Sequence, residues 1–221
     1  MSAPPVTVAV VSHATRDLLL RCLGSLAADA LSGRARVVVV DNGSSDGSAA
    51  AAREAAPWAE VVELRENVGF GAAVNLVAAR SDSAWVAAAN ADVELRAGSL
   101  AALLAAAGDA RVGALAPRLE LPGGEAQDSV GPLPGVVVAL AFGLGLHRVS
   151  RRLGQWLCLP GCWDPTRARD VPWAIGAFLL LRRSAFDAVG GFDERQWMYG
   201  EDLDLCWRLR DAGYLTRYVP G

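Results

Sequence analysis

The chain has 221 residues, a formal net charge of −3, 52% apolar and 20% charged residues. That size and balance exclude a disordered chain and a small disulfide-stapled scaffold, and favour one large folded domain. All 21 basic residues are arginine, Ile175 is the sole isoleucine, and alanine dominates, a pattern that fits a GC-rich coding bias. With a pI near 5.4 and no basic run longer than Arg151-Arg152, a nucleic-acid surface is not expected. The four cysteines (Cys22, Cys158, Cys162, Cys206) are too scattered for a disulfide framework. Cys158-x-x-x-Cys162 has only His147 nearby as a third zinc ligand, so no metal site is expected there. The N-terminus carries no signal-peptide pattern, and no apolar stretch reaches the roughly 18–20 residues of a membrane-spanning helix. These features place the chain in a reducing cytoplasm.

In chain order, Val6–Val11 reads as a buried strand and Arg16–Ala30 as a helix with Leu19, Leu20, Leu23 and Leu26 on one face. Arg36–Val40 is a second strand, followed by a Gly/Ser/Asp loop and a helix over Asp46–Ala56 that Pro57 closes. Glu60–Leu64 is a strand, Gly71–Arg80 a helix, Ala84–Ala89 a strand, Gly98–Ala107 a helix and Val112–Ala116 a strand. Apolar strands alternating with helices predict an α/β fold with a mostly parallel sheet covered on both faces. Regularity fails across residues 119–170. It returns with a strand over Trp173–Arg182, a short helix over Ser184–Val189 and a helix over Glu201–Ala212 stopped by Gly213. Leu215–Val219 is the last strand.

Four constellations carry chemistry. Asp41 ends an apolar strand, where ligands of open parallel sheets bind; it has no capping duty, whereas Asp46 reads as a helix N-cap. Asn67-Val68-Gly69-Phe70-Gly71 opens a helix after the third strand and mimics a dinucleotide fingerprint, but Val74 stands at its third small position. Asn67 and Asn75 there either donate to a nucleotide or only satisfy the turn. Asn90-Ala91-Asp92 follows a strand: Asp92 suits a hard divalent cation and Asn90 a helper or sugar contact, and both residues also suit a simple turn. In Glu201-Asp202-Leu203-Asp204, three acids crowd a helix start. One or two would satisfy the helix dipole, and crowding them raises a pKa toward that of a general base. Leu205, Leu209 and Ala212 of that helix face the core. The preceding Trp197-Met198-Tyr199 is either an apolar wall for an acceptor or part of the core.

Together the DNGSSDGS loop (Asp41–Ser48), the NVGFGAAVN turn (Asn67–Asn75), the NAD triplet (Asn90–Asp92) and the block Trp173–Tyr214 resemble the GT-A, family-2 glycosyltransferases, and among them the rhamnosyltransferase-like branch. The resemblance implies a single GT-A domain: a Rossmann-like nucleotide-sugar-binding half over 1–95 and a looser acceptor half over 96–221. It implies nucleotide-sugar contacts at Ser12, Asp41, Asn67, Gly69, Asn75, Asn90 and Asp92, and a divalent Mn2+ or Mg2+ at Asp92 with Asn90. It implies Asp202 as catalytic base beside Glu201, and sugar or acceptor contacts at Trp173, Gly176, Ala177 and Trp197. The implied reaction is an inverting transfer from dTDP-rhamnose or a UDP-sugar to a glycan or polyprenyl-linked hydroxyl in bacterial surface-polysaccharide synthesis. His13 and Ala14 depart from the Ser/Thr-aromatic-Asn pattern that usually ends the first strand, and His13 suits base stacking. The family pattern also continues past the last strand to a His-containing segment, whereas this sequence stops at Pro220-Gly221, which implies a C-terminally incomplete domain. A nucleotide-sugar-binding domain with little activity is therefore the alternative reading, and an NAD-dependent oxidoreductase a more distant one. The run Leu133–Leu146, followed by arginines, either lies weakly in a membrane interface or packs on the second-half core.

Overall fold

A computed structural model describes residues 5–145, 150–159 and 161–220. The chain alternates strand and helix at first: β1 (Val6–Ser12), α1 (Arg16–Leu31), β2 (Ala35–Asn42), α2 (Ser48–Ala55), β3 (Glu60–Leu64), α3 (Phe70–Ala78), β4 (Trp85–Asn90), α4 (Ser99–Ala105) and β5 (Val112–Pro117). The looser part holds β6 (Val130–Gly131), α5 (Val136–Gly143), α6 (Arg151–Trp156), β7 (Arg169–Val171) and β8 (Trp173–Ala174). It ends with β9 (Phe178–Arg182), α7 (Arg183–Ala188), α8 (Glu201–Asp211) and β10 (Leu215–Val219).

Eight strands form the main sheet in the order β3-β2-β1-β4-β9-β5-β10-β7. β1 through β5 and β10 run one way; β9, wedged between β4 and β5, and the edge strand β7 run the other. Alternation along the strands feeds two cores, because successive side chains point to opposite faces. Val6, Val8, Val10, Val37 and Val39 pack with Leu19, Leu23 and Leu26 of α1 and with Leu100 and Leu103 of α4. Ala9, Val38 and Val40 pack on the other face with Val74 and Val77 of α3, Phe186 of α7 and Leu205 and Leu209 of α8. Each such leucine contributes about 1.5–3 kcal/mol by leaving water. The result is a three-layer α/β fold with a mostly parallel sheet, as the strand pattern predicts.

Three local expectations change. Residues 173–182 are two strands, not one: β8 pairs with β6 in a separate small sheet, and β9 joins the main sheet. The chain breaks at Ile175-Gly176-Ala177 to pass between them. Ala212 lies beyond the end of α8 and is exposed; Cys206 takes the third core position beside Leu205 and Leu209. The run Leu133–Leu146 includes α5, which touches the body through Ala141, packed on Leu157 and Leu159 in a small cluster of its own. Val138 packs at the edge of that cluster, while Val136, Val137 and Leu140 are more than half exposed. Leu133, Val138 and Ala141 of this run pack inward, and Leu146 lies outside the described residues. His147 lies outside the described residues. Among the described residues, no helix is long and apolar enough to cross a membrane.

Candidate active site

The parallel strands end together. Ser12 pairs with Asp41 across β1 and β2, and Val11 pairs with Asn90 across β1 and β4, so Ser12, Asp41 and Asn90 stand at one level of the sheet edge. Asp41 is buried, and its Oδ1 accepts the Ser44 N–H at 3.0 Å. It caps no helix, and through this bond it holds the loop after β2. Ser12 is fully buried with its Oγ 2.9 Å from Thr15 Oγ1. His13 is exposed, and its Nδ1 lies 2.9 Å from the Asn42 carbonyl. Asp46 is not the N-cap of α2, a place Gly47 takes. Its carboxylate accepts the Ser48 N–H at 3.0 Å and the Arg16 N–H at 3.1 Å, serving the starts of two helices at once.

The turn before α3 is built around a residue the sequence reading missed. Asn42, buried at the end of β2, donates from Nδ2 to Asn67 Oδ1 at 2.9 Å and to the Gly69 carbonyl at 3.2 Å. Its Oδ1 accepts the Val68 N–H at 2.9 Å. Its place directly after Asp41 was the available signal. Gly69 has φ of 89°, and a Cβ there would come within 2.8 Å of the Trp197 carbonyl oxygen. Only glycine admits that approach. Trp197 in turn donates from Nε1 to the Asn67 carbonyl at 3.3 Å, which brings it to this turn. Trp197, Met198 and Tyr199 are all more than half exposed, which removes the core reading of that run. Asn75 faces elsewhere. Its Nδ2 donates to the Phe192 carbonyl (2.9 Å) and to Glu194 (3.1 Å), and its Oδ1 accepts the Phe192 N–H (2.9 Å). With both amide hydrogens engaged there, Asn75 ties α3 to the loop before α8.

The break between β8 and β9 joins the strand end to the acidic helix. The Asn90 N–H donates to the Ala177 carbonyl at 2.9 Å, and the Gly176 N–H donates to Asp202 Oδ2 at 2.7 Å. Asp202 Oδ1 accepts the Leu203 N–H at 2.7 Å. Burial pushes the Asp202 pKa up, and these backbone donors hold the rise back. Glu201 is also raised, again by burial first, with the neighbouring Asp202 charge a lesser cause; its Oε2 is buried without a hydrogen-bond partner. Desolvation, rather than the acid crowding read from the sequence, is the main source of both shifts. Asp204 is drawn away from the group by Arg208, whose Nη2 lies 2.6 Å from Asp204 Oδ2. The Arg208 Nη1 also donates to the Val189 and Gly191 carbonyls, so this pair anchors α8.

A cleft of about 830 Å³ opens beside this edge. Of the predicted residues, Asn90, Asp92 and Ala177 line it. Trp173 does not: its Nε1 donates to the Pro132 carbonyl at 2.9 Å and its ring covers Gly131. Among the described residues no cluster of three His, Cys, Asp or Glu side chains could hold a metal unaided. Asp92 is nevertheless an exposed carboxylate on the cleft wall with no hydrogen-bonding or ion-pair partner among the described residues. That suits a cation held by one carboxylate together with substrate phosphates and water, as Mg2+ commonly is. The described cysteines are free thiols, and burial raises Cys22 to about 12 and Cys206 to about 11, which makes both poor nucleophiles.

Comparison with known proteins agrees with this geometry. Residues 7–134 match the family model described as glycosyl transferase family 2, and residues 165–221 match that of glycosyl transferase family group 2. The chain is 38% identical over 235 aligned residues to an N-acetylglucosaminyl-diphospho-decaprenol L-rhamnosyltransferase of Mycobacterium tuberculosis, covering 96% of this chain and 73% of that protein. A 50-residue stretch is 52% identical to the rhamnosyltransferase WbbL of Escherichia coli, 23% of this chain and 19% of that protein. In fold it is similar to a mannosyltransferase of Pyrobaculum calidifontis solved with GDP-mannose and Mn2+. The TM-score is 0.69 at 21% identity, covering all of this chain and 56% of that one. Matched over more than half its length by the family model, and 38% identical to a relative it covers to 73%, the chain belongs to glycosyl transferase family 2.

Proposed function

We propose that the chain transfers a sugar, with inversion, from a nucleoside-diphosphate sugar (dTDP-rhamnose or a UDP-sugar) to a hydroxyl of a polyprenyl-linked glycan in bacterial surface-polysaccharide synthesis. The observation that carries this reading is the Asp202 carboxylate. It is desolvated, raised in pKa and bonded to Gly176, one residue from the Ala177 carbonyl that receives the Asn90 N–H. A carboxylate so placed is a general base beside the strand edge where family-2 donors bind.

In this reading residues 1–95 hold the nucleotide-sugar and residues 96–221 the acceptor. Asp41, with Ser12, Asn67 and Gly69 around it, receives the nucleoside. Asp92 and Asn90 hold a divalent cation, Mn2+ or Mg2+, which when bound neutralises charge on the leaving diphosphate. Asp202 takes the proton of the acceptor hydroxyl as its oxygen bonds to the anomeric carbon and the bond from that carbon to the phosphate oxygen breaks. The Gly176 N–H fixes the direction of the base, and Trp197, against the Asn67–Gly69 turn, contacts sugar or acceptor. Fixed orientation is the larger share of what such a site supplies. The exposed apolar face of α5 gives the chain a weak hold on the inner face of the membrane, where a polyprenyl-linked acceptor resides.

Thermal-shift titration tests the reading. dTDP or UDP with Mn2+ should raise the melting temperature as ligand concentration grows. Asp202→Asn should lower turnover by 10²–10⁴-fold, the usual worth of a general base, with nucleotide binding kept. Asp92→Ala should remove the effect of Mn2+ on nucleotide binding. A response to NAD instead, or unaltered turnover in Asp202→Asn, overturns it.

A further inference from the structure

The charges of the cleft are unevenly sorted. Arg21 and Glu94 close on each other at 2.9 Å. Arg96 and Arg118, by contrast, converge on one carboxylate, Glu120, in the 119–127 hairpin over the cleft. Arg118 Nε lies 3.2 Å from Glu120 Oε1 but is not aligned to hydrogen-bond it, and this nitrogen is shut from solvent without an acceptor. Two guanidinium groups thus share one anion, and one donor is unsatisfied. The Arg118 side chain is 28% exposed and that of Arg96 77%, so both guanidinium groups remain partly open to an anionic ligand, and phosphate oxygens accept strongly from guanidinium.

Strand order gives the arginines a side. Asp92 follows β4 and Arg118 follows β5, two parallel strands separated by β9 and ending at one edge. At the usual strand spacing that is two steps, about 10 Å. Asp41 on β2 lies two steps from β4 in the opposite direction. A donor laid from Asp41 to Asp92 therefore leaves the arginine wall unused, on the far side of Asp92. Between the two comes the break before β9, with Gly176 and its bond to Asp202.

We propose that Arg118 and Arg96 form an anion site for the diphosphate of a lipid-diphosphate-linked acceptor, separate from the donor's diphosphate. This rests on the glycosyl-transfer reading above. The geometry sets the base between two phosphate sites, one for each substrate. The sugar bearing the reacting hydroxyl then spans from the arginines to Asp202. Arg118, anchored by its own N–H to the Val219 carbonyl at 3.0 Å, is the fixed member, and exposed Arg96 the adjustable one.

The test uses the full 221-residue chain in EDTA, with inorganic pyrophosphate and farnesyl diphosphate as probes, and separately dTDP with Mn2+, all by calorimetric titration. Arg118→Gln and Arg96→Gln should each weaken both metal-free probes by tenfold or more and change dTDP–Mn2+ affinity by less than twofold. Arg96→Gln alters an exposed side chain, so it decides the matter should Arg118→Gln fail to fold. The proposal is overturned if the wild type binds neither probe in EDTA, or if the variants leave both probes unchanged. Equal weakening of dTDP–Mn2+ also overturns it, since the arginines would then serve the donor. Failure of the wild type to bind dTDP or UDP with Mn2+ while the EDTA results hold would instead remove the glycosyl-transfer reading and leave the anion site standing.

Discussion

Asp202 Oδ2 accepts the backbone N–H of Gly176 at 2.7 Å, and the glycine approaches so closely that a Cβ there would lie 3.1 Å from the Asp202 Cβ. A carboxylate from the acidic helix is thereby directed by the strand break that also touches Asn90. A backbone donor does this without a side chain of its own to reorient.

Gly176→Ala keeps the N–H but crowds Asp202. The added methyl meets a helix start anchored by the Asp204–Arg208 pair, which yields poorly. Steady-state kinetics should show kcat lowered by about tenfold with donor KM little changed, and a stability loss of about 1–3 kcal/mol, the range for overpacking.

Glu201 carries the partnerless buried oxygen. Its folded pKa is raised, so the native state holds this proton more tightly than the unfolded chain does. The contribution to stability is complete below the ordinary carboxylate range and is lost as pH rises through the raised value. Glu201→Gln, free of the charge, should melt above wild type near about pH 7 and lose that advantage near about pH 4. Scanning calorimetry at several pH values reads this directly. By the same sign, the acid limb of the kcat profile should sit above the ordinary aspartate range, because Asp202 must be ionised to act.

Asn75 ties α3 to Phe192 and Glu194 through three hydrogen bonds. Asn75→Ala should cost about 1–3 kcal/mol in urea unfolding, the range for leaving a buried partner unsatisfied. Its dTDP–Mn2+ affinity should stay within twofold of wild type. A tenfold weaker affinity in a fully folded variant would return Asn75 to the nucleotide site.

Val137 and Leu140 are 63% and 55% exposed on α5. Val137→Glu with Leu140→Glu should leave the melting temperature unchanged and cut co-flotation with anionic phospholipid vesicles by tenfold or more. Undiminished flotation would place the membrane contact elsewhere or nowhere.

Much of the first half was legible in residue order. Valine-rich strands alternating with alanine-rich helices are local patterns, so Glu60–Leu64 has the predicted bounds and the other elements before residue 118 shift by one or two residues. Asn90 and Asp92 reach the cleft because position after a strand is also a local property. The part between residues 119 and 170 resisted because its short elements are held by contacts with distant segments, as β6 is by β8.

The alternating architecture, the strand-end placement of Asp41 and Asp92 and the acidic start of α8 are written in residue order, since each follows from periodicity and neighbours along the chain. That Asp202 is the directed acid, that Asn75 ties α3 to a distant loop and that Arg96 and Arg118 share one carboxylate emerges with folding alone. Those outcomes depend on which backbone donors, desolvating walls and opposite charges arrive from residues far away in sequence. Burial and hydrogen bonding set a side chain's chemistry, and both are properties of the assembled sheet edge rather than of any one segment.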